Sequence, residues 1–219
     1  YIPFAPFNNE KILDVHRVHL LLGKFSTHEI SATLNNIVNE SMLSHLHIEE
    51  YHSEIYNKQN NDEATNHVKR LLNYFIDYKF REEVIDQLMK VYFPNEKEIT
   101  ENFYMTLSEL INMSSEGMLL GSHSVNHPVM SILTRAEQEK EILGSFNMLD
   151  KISQTTIRSF AYPYGGFHSF TADTEQLLNK HKCRFAFNVE SRDINLDDLR
   201  RKQALPRYDC NNFPHGSVN

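Results

Sequence analysis

Two histidines set the chemistry to be explained: His123 and His127, in the run Gly121-Ser122-His123-Ser124-Val125-Asn126-His127-Pro128. Imidazole is a leading ligand for Zn2+ and related divalent ions. Placed directly after a strand-like segment, at a loop-to-helix transition, the two rings are able to point into one site. Gly121 permits close backbone approach there, and Pro128 fixes the exit of the turn. An H-x-x-x-H pair in a chain with 12 histidines also arises without function. The strand-end position and the G-S-H-S-x-x-H-P context favour the metal site.

Three further groups carry potential chemistry. Phe160-Ala161-Tyr162-Pro163-Tyr164-Gly165-Gly166 also closes a strand-like run. It offers aromatic walls and a turn able to present a backbone N–H to an oxyanion; taken alone, it is an aromatic turn before a helix. Leu205-Pro206-Arg207-Tyr208-Asp209 ends another such run. Arg207 and Asp209 would orient catalytic groups or pair with each other on the surface. His215 follows near the chain end, where a histidine is more often incidental. Asp14, His16 and His19 form the competing cluster, with both imidazoles on one helix face at i, i+3. No strand end is involved there, so it reads as a helix surface or an insertion–core contact.

The elements that must hold these residues differ along the chain. From Lys24 to Glu116 there is no glycine, and Pro94 is the only proline. Tight turns and strand bends draw on Gly and Pro, so this stretch is predicted to be mostly helical. Apolar spacing agrees: Ile30, Leu34, Ile37 and Val38 follow an N-cap at Ser26-Thr27, and Val68, Leu71, Leu72 and Phe75 follow Asn61-Asp62-Glu63. Val84, Ile85, Leu88 and Met89 precede Pro94, which ends their helix. Thr100 is predicted to cap a last helix carrying Phe103, Leu107, Leu110 and Ile111. We read 10–112 as a helical insertion and 1–9 with 113–219 as the core. The insertion would act as a lid, a substrate-selecting wall or a subunit contact.

In the second half, apolar runs at 117–121, 157–162, 184–189 and 203–208 alternate with helices predicted over 134–151 and 171–181. That alternation implies an α/β fold with a parallel sheet or barrel, whose site lies at the C-terminal ends of the strands. Tyr1-Ile2-Pro3-Phe4 reads as another such strand. The 219 residues suffice for one domain with an insertion, and 40% hydrophobic and 23% charged residues are ordinary for a soluble globular protein. With 22 Lys+Arg against 29 Asp+Glu, the net charge is −7. The absence of a basic tract argues against general nucleic-acid or anionic-membrane binding. No apolar run approaches the ~20 residues of a membrane helix. Cys183 and Cys210 are too few for a disulfide framework and read as buried free thiols.

In order and spacing, the three late motifs between Gly117 and Asp209 resemble the polysaccharide deacetylases, the NodB-homology or carbohydrate esterase family 4 group. His123-Ser124-Val125-Asn126-His127-Pro128 matches their H-[ST]-x-x-H motif, and Pro163-Tyr164-Gly165 their P-[YF]-G motif. Leu205 to Asp209 looks like a later L-P-R-hydrophobic-D run. The resemblance implies a distorted (β/α)7-type barrel and hydrolysis of N-acetyl amide bonds in a polysaccharide or glycan precursor. It also implies a divalent metal, Zn2+ first and Co2+ or another transition metal as alternatives, held by two His and one Asp with a second Asp as base. His123 and His127 would then be metal ligands, the Tyr164 N–H the oxyanion donor and Ser124 a brace for the loop. His215 is the late candidate for the family's general-acid histidine, and the substrate an N-acetylated glycan.

Two departures stand beside these matches. The family's T-F-D-D-G motif, which supplies the base and third ligand, is absent from the sequence. Tyr1–Phe4 looks like the strand that follows that motif by ~25–30 residues, so the barrel is expected to be incomplete at its N-terminal side. Where many members carry an Arg before the P-[YF]-G turn, this chain has Ala161. Arg158 is expected to point elsewhere, leaving Arg207 as the substitute. A non-catalytic carbohydrate-binding domain on the same fold is the main alternative. An interaction module built on the insertion is the other.

Overall fold

Helix starts follow the capping chemistry. Ser26 with Glu29, Thr106 with Glu109 and Thr134 with Glu137 each close a reciprocal capping box, satisfying backbone donors that the first helical turn leaves open. The computed structural model describes residues 1–9, 11–51, 55, 56, 61–209 and 213. They divide into two compact units, Glu10–Phe103 on the one hand and Tyr1–Asn9 with Tyr104–Asn219 on the other.

The Glu10–Phe103 unit is built from helices Asp14–Lys24, Thr27–Ile37, His45–Tyr51, Glu63–Arg70, Tyr78–Tyr92 and Glu96–Phe103. Their apolar faces meet in a core that includes Leu21, Ile30, Leu34, Leu72, Ile85 and Leu88. Beside it lies a buried ion network. Arg17, only 2% exposed, places Nε 2.7 Å from Glu96 and Nη1 2.9 Å from Asp86 and 3.2 Å from Asp14. Arg81 donates to the other oxygen of Asp14 at 2.6 Å. Asp14 is therefore a structural counter-ion, and His16 leans on the Phe103 ring 5.4 Å away.

The capping residue of the next helix differs from the sequence expectation. Thr100 lies inside the Glu96–Phe103 helix with its hydroxyl on the Glu96 carbonyl. The following helix, Leu107–Ser115, starts at the Thr106–Glu109 box, which breaks the apolar stripe assumed to run through one helix. Leu110 packs with Phe4, Leu120 and Phe160, so this helix belongs with the second unit and the division falls between Phe103 and Tyr104.

In that unit, β1 (Arg158–Ala161) and β2 (Cys183–Phe187) pair in parallel. Single parallel bridges extend the row on both sides: Ile2 to Ser122, Ser122 to Phe160, and Phe187 to Leu205. Five segments thus run parallel in chain order. The runs at 1–4, 117–121 and 203–208 pair over fewer residues than expected for full strands. Pro3 and Pro206 each remove a ladder donor. Helices Arg135–Ile152 and Ala172–Lys180 connect successive segments, and Phe146, Leu149, Leu177 and Leu178 bury against Phe160 and Tyr162. Cys183 is a buried free thiol, and burial pushes its pKa up to about 12; Cys210 lies outside the described residues. Among the described residues no helix is long and apolar enough to cross a membrane.

Candidate functional site

The backbone ladder delivers His123 to the carboxyl end of its segment. Ser122 is fully buried: its N–H donates to Ser159, its carbonyl accepts from Ala161, and its hydroxyl donates to Ser145 at 2.6 Å. The next residue, His123, has Nδ1 2.7 Å from the Ala161 carbonyl oxygen. A carbonyl only accepts, so the geometry assigns the proton to Nδ1 and the lone pair of the neutral ring to Nε2. Ligating histidines are commonly oriented in this way, by a carbonyl on the nitrogen away from the metal.

The chain then turns sharply. Ser124 has φ 66° and His127 φ 57°, both in the left-handed region that non-glycine residues rarely adopt. Ser124 Oγ accepts the His127 N–H at 2.9 Å, which is the brace expected of this serine. The turn brings the two imidazole rings to 4.7 Å between centroids, inclined at 78°. The Tyr164 ring stands 5.1 Å from that of His127.

Tyr164 is presented by a turn of its own. Gly165 N–H donates to the Pro163 carbonyl at 2.7 Å across Tyr164, whose φ is 61°. Gly165 follows at φ 72°, and a Cβ there would lie 2.3 Å from Val189 Cγ1. Gly165→Ala is therefore expected to lower stability by at least ~1–2 kcal/mol, the usual penalty for an L-residue at positive φ. A thermal melt reads this directly; an unchanged midpoint would show that Val189 and the turn relax freely.

Of the sequence candidates, the structure brings His123, His127 and Tyr164 together. Phe160, Ala161 and Tyr162 are fully buried and belong to the core, with the Tyr162 ring stacked on Phe170 at 3.8 Å and its hydroxyl on the Gln203 carbonyl. Arg158 turns away to Asp150 and the His181 carbonyl. Arg207 is half-buried beside Tyr1, whose phenol pKa is raised chiefly by burial and lowered in smaller part by this guanidinium. Asp209 is exposed. His215 lies outside the described residues. Among the described residues no group of three His, Cys, Asp or Glu side chains is gathered to hold an ion. Two imidazoles with the right tautomer at His123 fit two positions of a catalytic zinc site, which ordinarily has three protein ligands.

One residue was missed by sequence reading. Glu141, on the Arg135–Ile152 helix, is 8% exposed, and its carboxylate accepts both the Val125 and Asn126 N–H groups. A glutamate beside Ile142, on the buried side of the helix that also carries Gln138, Ser145, Phe146 and Leu149, was the available signal.

The family model for polysaccharide deacetylase matches residues 60–186, more than half of the 219. The chain belongs to the polysaccharide deacetylase family. Among solved structures it is similar to the Streptococcus pyogenes deacetylase PplD in complex with acetate, at 23% identity and a TM-score of 0.43, over 48% of this chain and 44% of that one. It is also similar to the deacetylase domain of BpsB from Bordetella bronchiseptica, at 20% identity and a TM-score of 0.40, over 48% and 49%. The chain thus spans less than half of either structure. No curated protein sequence matches it.

Proposed function

We propose that this chain carries the two-histidine half of a metal-dependent amidohydrolase site that removes N-acetyl groups from a polysaccharide or glycan precursor, on a NodB-like (β/α) barrel. The observation that carries the reading is the apposition of His123, His127 and Tyr164 at the carboxyl ends of adjacent parallel segments. Ligands of parallel α/β folds bind at that end.

In amide hydrolysis, water adds to the acetyl carbonyl carbon, the C–N bond breaks, acetate leaves and the sugar amine takes up a proton. A divalent ion, Zn2+ or Co2+, supplies Lewis-acid polarisation and an activated water when bound. His123 and His127 would hold it, His123 through Nε2 because Nδ1 is committed to the Ala161 carbonyl. The turn at Tyr164 presents a backbone N–H to the oxygen that gains charge. Arg207 and Asp209 orient the site, and His215 protonates the leaving amine. The T-F-D-D-G motif, from which the resemblance would draw the base and the third ligand, is absent from the 219 residues.

Acetate release from N-acetylated glycan oligomers, by the full-length protein supplied with Zn2+ or Co2+, tests the reading. Metal-dependent release is expected. Glycan binding without release from any substrate would replace catalysis with the carbohydrate-binding alternative, which the absent T-F-D-D-G motif and Ala161 motivate.

A further inference from the structure

The histidine loop makes a bond set that its own residues do not explain. Glu141 Oε2 accepts Val125 N–H at 2.9 Å and Asn126 N–H at 2.8 Å, while Oε1 accepts Asn126 Nδ2 at 2.5 Å. These three donors are consecutive along the turn that separates His123 from His127. Two neighbours on the same helix meet the same loop. A Cβ at Gly144 would lie 3.0 Å from Val125 Cγ2, so glycine lets the helix approach there. Ser145 Oγ accepts the Ser122 hydroxyl at 2.6 Å, just before His123. Positions 141, 144 and 145 are i, i+3 and i+4, and so form one helix face.

The loop needs such a partner. Ser124 and His127 both sit at positive φ, a conformation that costs energy outside glycine and persists only where the surroundings over-determine it. Hydrogen bonds to a carboxylate are roughly twice as strong as neutral ones, and a poorly solvated carboxylate on two adjacent N–H groups admits few other loop geometries. We infer that Glu141 is a positioning residue that preorganises the His123–His127 loop for metal ligation. It acts through the loop backbone, fixing the separation of the two imidazoles before an ion arrives. The inference rests on the metal reading proposed above and deepens it: the ligating geometry is templated by the helix face, not by the His-containing turn alone.

The test measures Zn2+ affinity of the full chain by competition with a chromophoric chelator, alongside thermal melts. Four variants are compared: Glu141→Ala, Glu141→Gln, Ile142→Ala and His127→Asn. Glu141→Ala is expected to weaken Zn2+ binding roughly 10–100-fold, the range for supporting residues behind metal ligands. Glu141→Gln keeps one acceptor oxygen for the two backbone N–H groups, without the charge and without an acceptor for Asn126 Nδ2, and should recover part of that loss. Ile142→Ala removes a buried core side chain next to Glu141 and should lower the melting temperature with affinity unchanged, separating loop geometry from general stability. If His127→Asn abolishes binding while both Glu141 variants retain wild-type affinity, the positioning role is overturned and the metal site stands. If Glu141→Ala does not fold, wild-type affinity in Glu141→Gln overturns it equally. Unchanged affinity in His127→Asn removes the metal site itself, and the inference with it.

Discussion

His127→Asn is expected to eliminate metal binding and acetate release from a protein that still folds. Asparagine tolerates the left-handed region better than most residues, so the φ of 57° at position 127 is retained without a large penalty. The bond from its N–H to Ser124 Oγ is a backbone bond and survives the substitution. What disappears is the imidazole that stands 4.7 Å from His123 and 5.1 Å from Tyr164. His123→Ala should act alike, losing also the bond to the Ala161 carbonyl, at a stability cost of about 1 kcal/mol. Loss of a direct ligand should exceed the roughly 10–100-fold effects of outer-shell changes. Metal content after dialysis, measured beside circular dichroism, checks both variants; full metal content in either one would sink its role as a ligand.

The second large effect is on stability. Arg17→Met is expected to destabilise the Glu10–Phe103 unit by about 3 kcal/mol, the low end of the range for breaking a buried ion pair. Arg17 is 2% exposed and neutralises three carboxylates, Asp14, Asp86 and Glu96. Removing it leaves them facing one another; among the described residues Arg81 on Asp14, Lys11 on Asp86 and the Ile12 N–H on Glu96 remain as partial compensation. The low end applies because these carboxylates keep 19–31% of their side-chain surface in water. Denaturant unfolding followed by far-UV circular dichroism reads the loss; an unchanged midpoint would refute it.

Acid should act on the same network. Burial alone would raise the Asp86 pKa, but the hydrogen bonds and charges of Lys11 and Arg17 outweigh it and hold the carboxyl below its ordinary value. Its stabilisation is therefore complete above the unfolded pKa of about 3.9 and is lost as pH falls through the lower folded value. Below about pH 4 the wild-type protein should lose stability more steeply than Arg17→Met, which has already lost the share of that linkage that Arg17 supplies and keeps the share of Lys11.

Family membership and the histidine pair were legible in short runs of sequence, because H-[ST]-x-x-H-P and P-Y-G are local turns. The Ser124 hydroxyl needs to reach only to residue 127. Helix starts at Ser26 and Thr134 were legible for the same reason: a capping box is satisfied within one turn of its own helix. The misplaced start at Thr100 shows the limit of periodicity, since the apolar residues Phe103, Leu107 and Ile111 satisfy the spacing and yet stay exposed.

Everything that depends on a distant partner required the fold. Arg17 meets Glu96 across 79 positions of sequence, and His123 finds its orienting carbonyl at Ala161, 38 positions on. Glu141 could be noticed as a glutamate among the buried positions of its helix, but only packing turned it toward the Val125 and Asn126 amides. The sequence by itself determined the local terms: caps, turn residues, apolar periods and the two imidazoles. The tertiary structure decided which buried polar groups satisfy one another, because a desolvated donor takes whichever acceptor the packed chain brings within about 3 Å.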